Sequence, residues 1–335
     1  MATTQPTVDH FRLGLLFAVA SAFAFGSAGP FAKSLMEAGW SPTAAVTARL
    51  AGGAVLMVTF ATTVKPDWLR EALQHAKTVI AYGLIPIAGA QLCYFNAVAH
   101  LSVGVALLLE YTAPILVVGW LWTTTRTRPS NLTLTGVALA IAGIMLVLNV
   151  FSGEHINLIG VGWALAAAVC AACYFMMSDE VAADGDGLNS ITLATAGLVV
   201  GAAAVGLLGA TGVMPLTFTT NDAVVAGLTT SWVVPVIALA LIPTAIAYTL
   251  GIMGIARLRP RFASLVGLFE VMFAVLAAWV LLGEAITPIQ AIGGAVVLVG
   301  LVLARQGDRT DKLTDVTWPD GPVNGAPSGQ AVGRS

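Results

Sequence analysis

Apolar residues run along this chain in long unbroken blocks, not in the half-apolar periods of surface helices or strands. The blocks fall at 12–37, 42–64, 78–98, 102–123, 131–150, 158–178, 189–210, 232–254, 262–282 and 287–304. Each is close to the roughly 20 residues that carry a helix across a bilayer. Charged, Pro and turn residues bound them, so the pattern predicts an all-α polytopic membrane protein with ten transmembrane helices. The longest connection, Thr211 to Ser231, is Thr-rich without an apolar period and reads as a loop. Residues 1–11 read as a polar cytoplasmic leader, and 305–335, rich in Asp, Gly and Pro, as a disordered cytoplasmic tail.

Composition narrows the class. Of 335 residues, 58% are hydrophobic and 10% charged, against roughly 25% charged in a soluble domain. A soluble enzyme is excluded. Lys and Arg total 15 against 17 Asp and Glu, a balance with no basic face for nucleic acid. Cys93, Cys170 and Cys173 all lie in apolar stretches. Cys170 and Cys173 share a helix face, but two thiols without His or further Cys make no zinc site. Neither a His-Glu-x-x-His metal motif nor a Gly-x-Ser-x-Gly elbow occurs, and no cofactor or metal is expected. The Asp184-Gly185-Asp186-Gly187 run lacks the ligands of a calcium loop and reads as a solvated turn.

The chain repeats itself. A shift of 157 residues lays Leu84-Ile85-Pro86 on Leu241-Ile242-Pro243, Trp122 on Trp279, Gly136 on Gly293 and Gly143 on Gly300. Residues 12–150 and 158–304 are therefore read as two five-helix repeats. Five is odd, so the second repeat enters the membrane inverted and its cytoplasmic bases must move to the neighbouring loop. Arg126 and Arg128 follow span four, whereas Arg257, Arg259 and Arg261 follow span eight. With both termini cytoplasmic, every Lys and Arg except Lys33 and Arg49 falls on the inner side. The localisation read from this is a cell inner (plasma) membrane, multi-pass.

Ionised groups at mid-bilayer cost on the order of 2.5–3.5 kcal/mol and mark function or pairing. Arg49 in span two, Glu110 in span four and Glu270 in span nine qualify. Helical rise puts Arg49 and Glu110 at similar depths, so direct or water-mediated contact is expected. One reading is a structural ion pair that fixes helix packing. The other is site chemistry, with Glu110 as a proton- or ion-coupling group and Arg49 holding a substrate carboxylate through its planar fork. Glu270 lies three residues from the repeat mate of Glu110, so the repeat does not duplicate the site. Lys33 and Glu37 read as a snorkelling surface pair.

Gly26-Ser27-Ala28-Gly29-Pro30 weakens span one, leaving backbone groups that only protein or a wet cavity can receive. Pro86, Pro114 and Pro243 predict kinks that open a central space. Tyr94, Asn96, Tyr111 and Tyr248 are candidate lining residues, with Trp163 and Tyr174 beside them. Gly136, Gly143, Gly293 and Gly300 put small residues on one stripe of spans five and ten, a surface for close helix packing with a homodimer as one candidate use.

Phe25-Gly26-Ser27 with Lys33, Arg49, the segment Ala106 to Pro114, and Ala263 to Gly300 with Glu270 and Leu282-Gly283-Glu284 resemble the drug/metabolite transporter superfamily and, within it, EamA-type proteins. The resemblance covers 12–304 and departs after span four, where Thr125-Arg126-Thr127 stands in place of a Gly-Glu ending. It implies a secondary transporter, working by alternating access and exporting small metabolites such as amino acids, with the site between two inverted repeats. A small-molecule substrate and the lipid bilayer are the expected partners. A channel-like facilitator is the alternative, and an intramembrane enzyme a more distant one.

Overall fold

The computed structural model describes residues 8–126, 128–148, 157–183, 188–255 and 269–315. Arg257, Arg259, Arg261, Ala263, the Asp184 to Gly187 run, the loop 149–156, residues 1–7 and residues 316–335 lie outside them. The protein is almost entirely helical. Span one is α1 (Val8–Gly26) and α2 (Ala28–Glu37); span two is α3 (Pro42–Val64). A short α4 (Trp68–Gln74) leads to span three, which is α5 (Ala76–Tyr82), a widened π-helical stretch Gly83–Gly89, and α6 (Ala90–Val98). Span four is α7 (Val103–Glu110) and α8 (Ala113–Thr125), followed by α9 (Asn131–Val147), α10 (Leu158–Ala183) and α11 (Ser190–Ala210). The stretch expected as span eight is α12 (Val233–Ala240), a second π-helical stretch Leu241–Ile246, and α13 (Ala247–Ile255); α14 (Phe269–Leu282) and α15 (Pro288–Asp315) complete the described chain.

Among the described residues, six helical stretches are long and apolar enough to cross a membrane: Arg12–Glu37, Pro42–Val64, Ala76–Val98, Val103–Thr124, Ser190–Ala210 and Val233–Gly251. Asn131–Val147, Leu158–Tyr174, Phe269–Leu282 and Pro288–Ala304 are shorter apolar helices. Their starts follow local chemistry. Ser41 accepts a hydrogen bond from the Ala44 N–H ahead of Pro42, Ser130 does the same for Thr133, and Asn189 for Ile191. Outward residues such as Leu16, Val55, Leu207, Ile237 and Trp279 are exposed, as a lipid-facing surface requires.

Lipid tails are as apolar as leucine, so close packing holds such helices together, not a hydrophobic gradient. The glycine stripes supply that packing within one chain. A methyl group on Gly136 would lie 2.6 Å from the Gly300 carbonyl oxygen, and one on Gly143 would lie 2.8 Å from that of Gly293. The expected small-residue surface is therefore occupied by α9 against α15 and is not left for a second subunit. Along the same seam α15 runs on to Asp315, with Gly307 directly over Ser130 and Thr133 at the start of α9.

The connection after α11 is also not a plain loop. Ala223–Val225 pairs antiparallel with Leu228–Thr230, joined by Ala226 (φ 54°) and Gly227 (φ 73°), the paired left-handed residues of a tight hairpin turn. Alanine in place of the usual Asn or Asp hid the turn in the sequence. The Ala226 N–H donates to the Leu281 carbonyl at 2.7 Å, docking the hairpin on the end of α14. Upstream, Thr219 and Asn221 donate to the Ala38 carbonyl at 2.8 and 3.1 Å, and the Trp40 indole donates to the Thr219 carbonyl at 2.9 Å. One end of the bundle is thus capped.

Candidate functional site

A cavity of about 370 Å³ lies inside the bundle, on the α1 side of the break in span one. Its wall is built from Ser21 and Phe25 of α1, Tyr82 and Pro86 of span three, Gln91 of α6, Glu110 of α7, Tyr174 of α10, Tyr248 of α13 and Glu270 of α14. Glu110 and Glu270 therefore converge from α7 and α14, one in each half of the chain.

The broken helices make this convergence possible. Pro114 stands in the first turn of α8 and has no N–H to offer the Glu110 carbonyl, so span four divides beside its acid. Gly26 lets α1 lie directly on α14: a methyl group there would come within 2.8 Å of the Ala274 nitrogen and 3.0 Å of the Glu270 carbonyl oxygen. Gly29 stands against Val103 and the Tyr94 hydroxyl. Both glycines face neighbouring helices at close range, and Pro30 is buried. None of the three lines the cavity, which the backbone reaches at Pro86.

The two carboxyl groups differ in surroundings. Tyr111 donates its hydroxyl to Glu270 Oε2 at 2.7 Å. Glu110 has no hydrogen-bond or ion-pair partner among the described residues. Tyr248 is held edge-to-face on Phe25 with ring centroids 5.2 Å apart. Tyr94 is buried against Gly29, and Asn96 donates to the Leu92 carbonyl of its own helix at 2.7 Å, so neither lines the cavity.

Arg49 and Glu110 stand near enough to interact electrostatically but are not in direct contact. No hydrogen bond or ion pair joins them among the described residues, and the guanidinium is buried behind the cavity wall. It donates to Thr244 Oγ1 at 3.3 Å, to the Pro243 carbonyl at 3.1 Å, and to Gln91 Oε1. It also stands 5.6 Å from the centroid of the Phe95 ring. The cause lies in the π-helical stretch. Pro243 cannot donate to the Leu239 carbonyl, and Thr244 does so through its hydroxyl at 3.1 Å. The Thr244 hydroxyl and the Pro243 carbonyl, both in this stretch, are the oxygens that draw the cation.

Lys33 also departs from expectation. It pairs with Glu284 and not Glu37, and donates to the Leu101 carbonyl at 3.4 Å. The second oxygen of Glu284 accepts from the Val103 N–H at 3.2 Å, tying α2, the start of α7 and the end of α14 together at the capped end. At the other end Glu71 takes Lys65, the Asn189 N–H at 2.8 Å and the Thr192 hydroxyl at 2.7 Å. Burial works to raise the pKa of Glu71, but the hydrogen bonds from Lys65, Thr192 and the Asn189 N–H outweigh it and lower it from 4.5 to about 2.

Sequence reasoning passed over Gln91, Tyr82, Thr244 and Glu71. An amide in an apolar span and a hydroxyl next to an intramembrane proline were the available signals for Gln91 and Thr244. Glu71 sits in a polar connection, where a carboxylate carries no such mark.

The EamA-like transporter family model matches this chain over residues 12–149 and again over 158–306. The chain belongs to the EamA-like transporter family. It is a membrane transporter and not an enzyme. Its EamA-like relatives include a protein named threonine/homoserine exporter RhtA in Escherichia coli (strain K12), 28% identical over 81% of this chain and 84% of that one. The RhtA of Salmonella typhimurium (strain SL1344) is 27% identical over 88% and 90%. An uncharacterized transporter of Archaeoglobus fulgidus is 26% identical over 78% and 91%. A protein of known crystal structure shares the fold seen here, with TM-score 0.59 over 89% of this chain and 98% of that one at 19% identity.

Proposed function

We propose that this chain is an inner-membrane exporter of small amino-acid-like metabolites such as threonine or homoserine. It works by alternating access between two inverted five-helix repeats, ten spans in all, with both termini cytoplasmic. The observation that carries the reading is the convergence of Glu110 and Glu270 on one cavity inside an apolar bundle. Carboxyl groups at membrane depth are costly unless a cavity or a ligand receives them, and a carboxylate is the natural receptor for a substrate ammonium group or a coupling proton. Two separate matches of one family model support the repeat, and the names of the relatives support the substrate class.

With the termini cytoplasmic, the cavity faces the cytoplasm. The capped end, with its hairpin and the Lys33–Glu284 pair, is then the closed outer gate. Alternating access requires that pair to open as the cavity closes on the cytoplasmic side. The test is uptake of labelled threonine into proteoliposomes preloaded with unlabelled threonine. The expected result is saturable uptake stimulated by the internal substrate. Flux that rises without saturation and ignores internal substrate overturns the carrier reading in favour of a pore.

A further inference from the structure

We propose that Gln91 is a specificity-determining residue of this cavity, its amide N–H groups taking the carboxylate of a zwitterionic substrate whose ammonium group is taken by Glu110. The inference rests on the transport reading above and says how that site selects its substrate. An arginine can only donate hydrogen bonds, so the amide atom turned toward Arg49 must be oxygen. Arg49 holds that oxygen through Nη1. The amide nitrogen is thereby committed to the other side, and Gln91 forms part of the cavity wall. No hydrogen-bond partner for that nitrogen occurs among the described residues.

Arg49 cannot readily let go. Two of its other donors are engaged by Thr244 and the Pro243 carbonyl, both on the π-helical stretch Leu241–Ile246. The guanidinium is a positioning residue that fixes the amide while remaining out of the cavity. No Lys, Arg or His lies in the described cavity wall. A substrate oxygen there meets an amide donor or a tyrosine hydroxyl, and a substrate cation meets Glu110, since Glu270 already accepts from Tyr111. A fixed donor and an open carboxylate on one wall match a molecule carrying both charges, and they disfavour dicarboxylates. The volume of about 370 Å³ lies toward the lower end of the roughly 300–1,000 Å³ typical of ligand sites, which favours small ones.

The test measures how well threonine and threoninol, in which the carboxylate is replaced by CH2OH, compete for labelled-threonine counterflow in proteoliposomes. The wild-type protein is expected to prefer threonine by at least about tenfold, the worth of one hydrogen bond to a charged group. Gln91→Leu should bring the ratio close to one by weakening threonine alone. Gln91→Glu has the same shape but offers only oxygens, and should turn the preference toward threoninol; it serves as the test if the leucine variant does not fold. Arg49→Met should reduce the ratio through KM, and Arg49→Lys, still able to donate to the amide oxygen, should restore most of it. A wild-type ratio retained in a folded Gln91 variant overturns this inference alone. A wild-type protein that neither binds nor moves threonine overturns the transport reading with it.

Discussion

The acids at the middle of the bundle and those at its two ends are held in opposite ways. At the ends Glu71 and Glu284 each gather several donors and join segments distant in sequence: Glu71 binds the start of α11 across 118 residues, and Glu284 binds Lys33 across 251. In the middle Glu270 takes a single tyrosine, and Glu110 takes nothing among the described residues. A carboxylate whose lone pairs are filled by the fold serves the fold. One left facing a cavity at membrane depth is a standing cost, which the proposed substrate or coupling proton would offset.

Substitutions can break this contrast. The largest effect is expected from Glu110→Gln, which keeps the shape but removes the charge. Counterflow of threonine should fall by more than about tenfold and lose its dependence on pH, with the melting temperature in detergent unchanged. Full activity with the wild-type pH profile would place Glu110 among the structural acids. Glu71→Ala should do the reverse. It leaves Lys65, Thr192 and the Asn189 N–H without their acceptor, and a loss of about 1–3 kcal/mol is expected in thermal unfolding. The activity of the protein that remains folded should change little.

A smaller effect is expected from Tyr111→Phe, which removes one hydrogen bond from Glu270. About 1 kcal/mol of stability should be lost, and transport should shift by a few-fold, because a middle acid then resembles Glu110 more closely. The smallest effect concerns acid itself. The pKa of Glu71 is lowered by folding from 4.5 to about 2, so the stability it contributes is complete above 4.5 and is lost as pH falls from there toward 2. The difference in melting temperature between wild type and Glu71→Gln should shrink over that window. A constant difference would mean that the bonds around Glu71 do not favour its ionised form.

Much of this was legible in one dimension. Apolar blocks announced the helices because a bilayer leaves no other way to satisfy a spanning backbone outside a closed barrel. Pro86 and Pro243 marked where spans three and eight would deform, and each lies in a π-helical stretch. The Gly-Ser-Ala-Gly-Pro run marked the break in span one, which falls at Ser27. The intramembrane acids stood out, since apolar sequence makes any charge conspicuous, and Glu110 and Glu270 both line the cavity.

Partner choice was not legible. Depth along a helix can be counted from residue numbers, but the direction in which a side chain leaves the helix axis depends on how neighbouring helices rotate and widen. Arg49 and Glu110 count to a similar depth, yet the Pro243 carbonyl and the Thr244 hydroxyl draw the guanidinium elsewhere. Lys33 and Glu37 share a helix face in sequence, yet Glu284 reaches the lysine from the other half of the chain. The chain by itself determined that there would be membrane helices, where they would bend and which charges would be exceptional, because these follow from local composition and missing N–H groups. Only the tertiary structure decided which donor met which acceptor, because hydrogen bonds act over about 3 Å and that proximity exists only once the helices have packed.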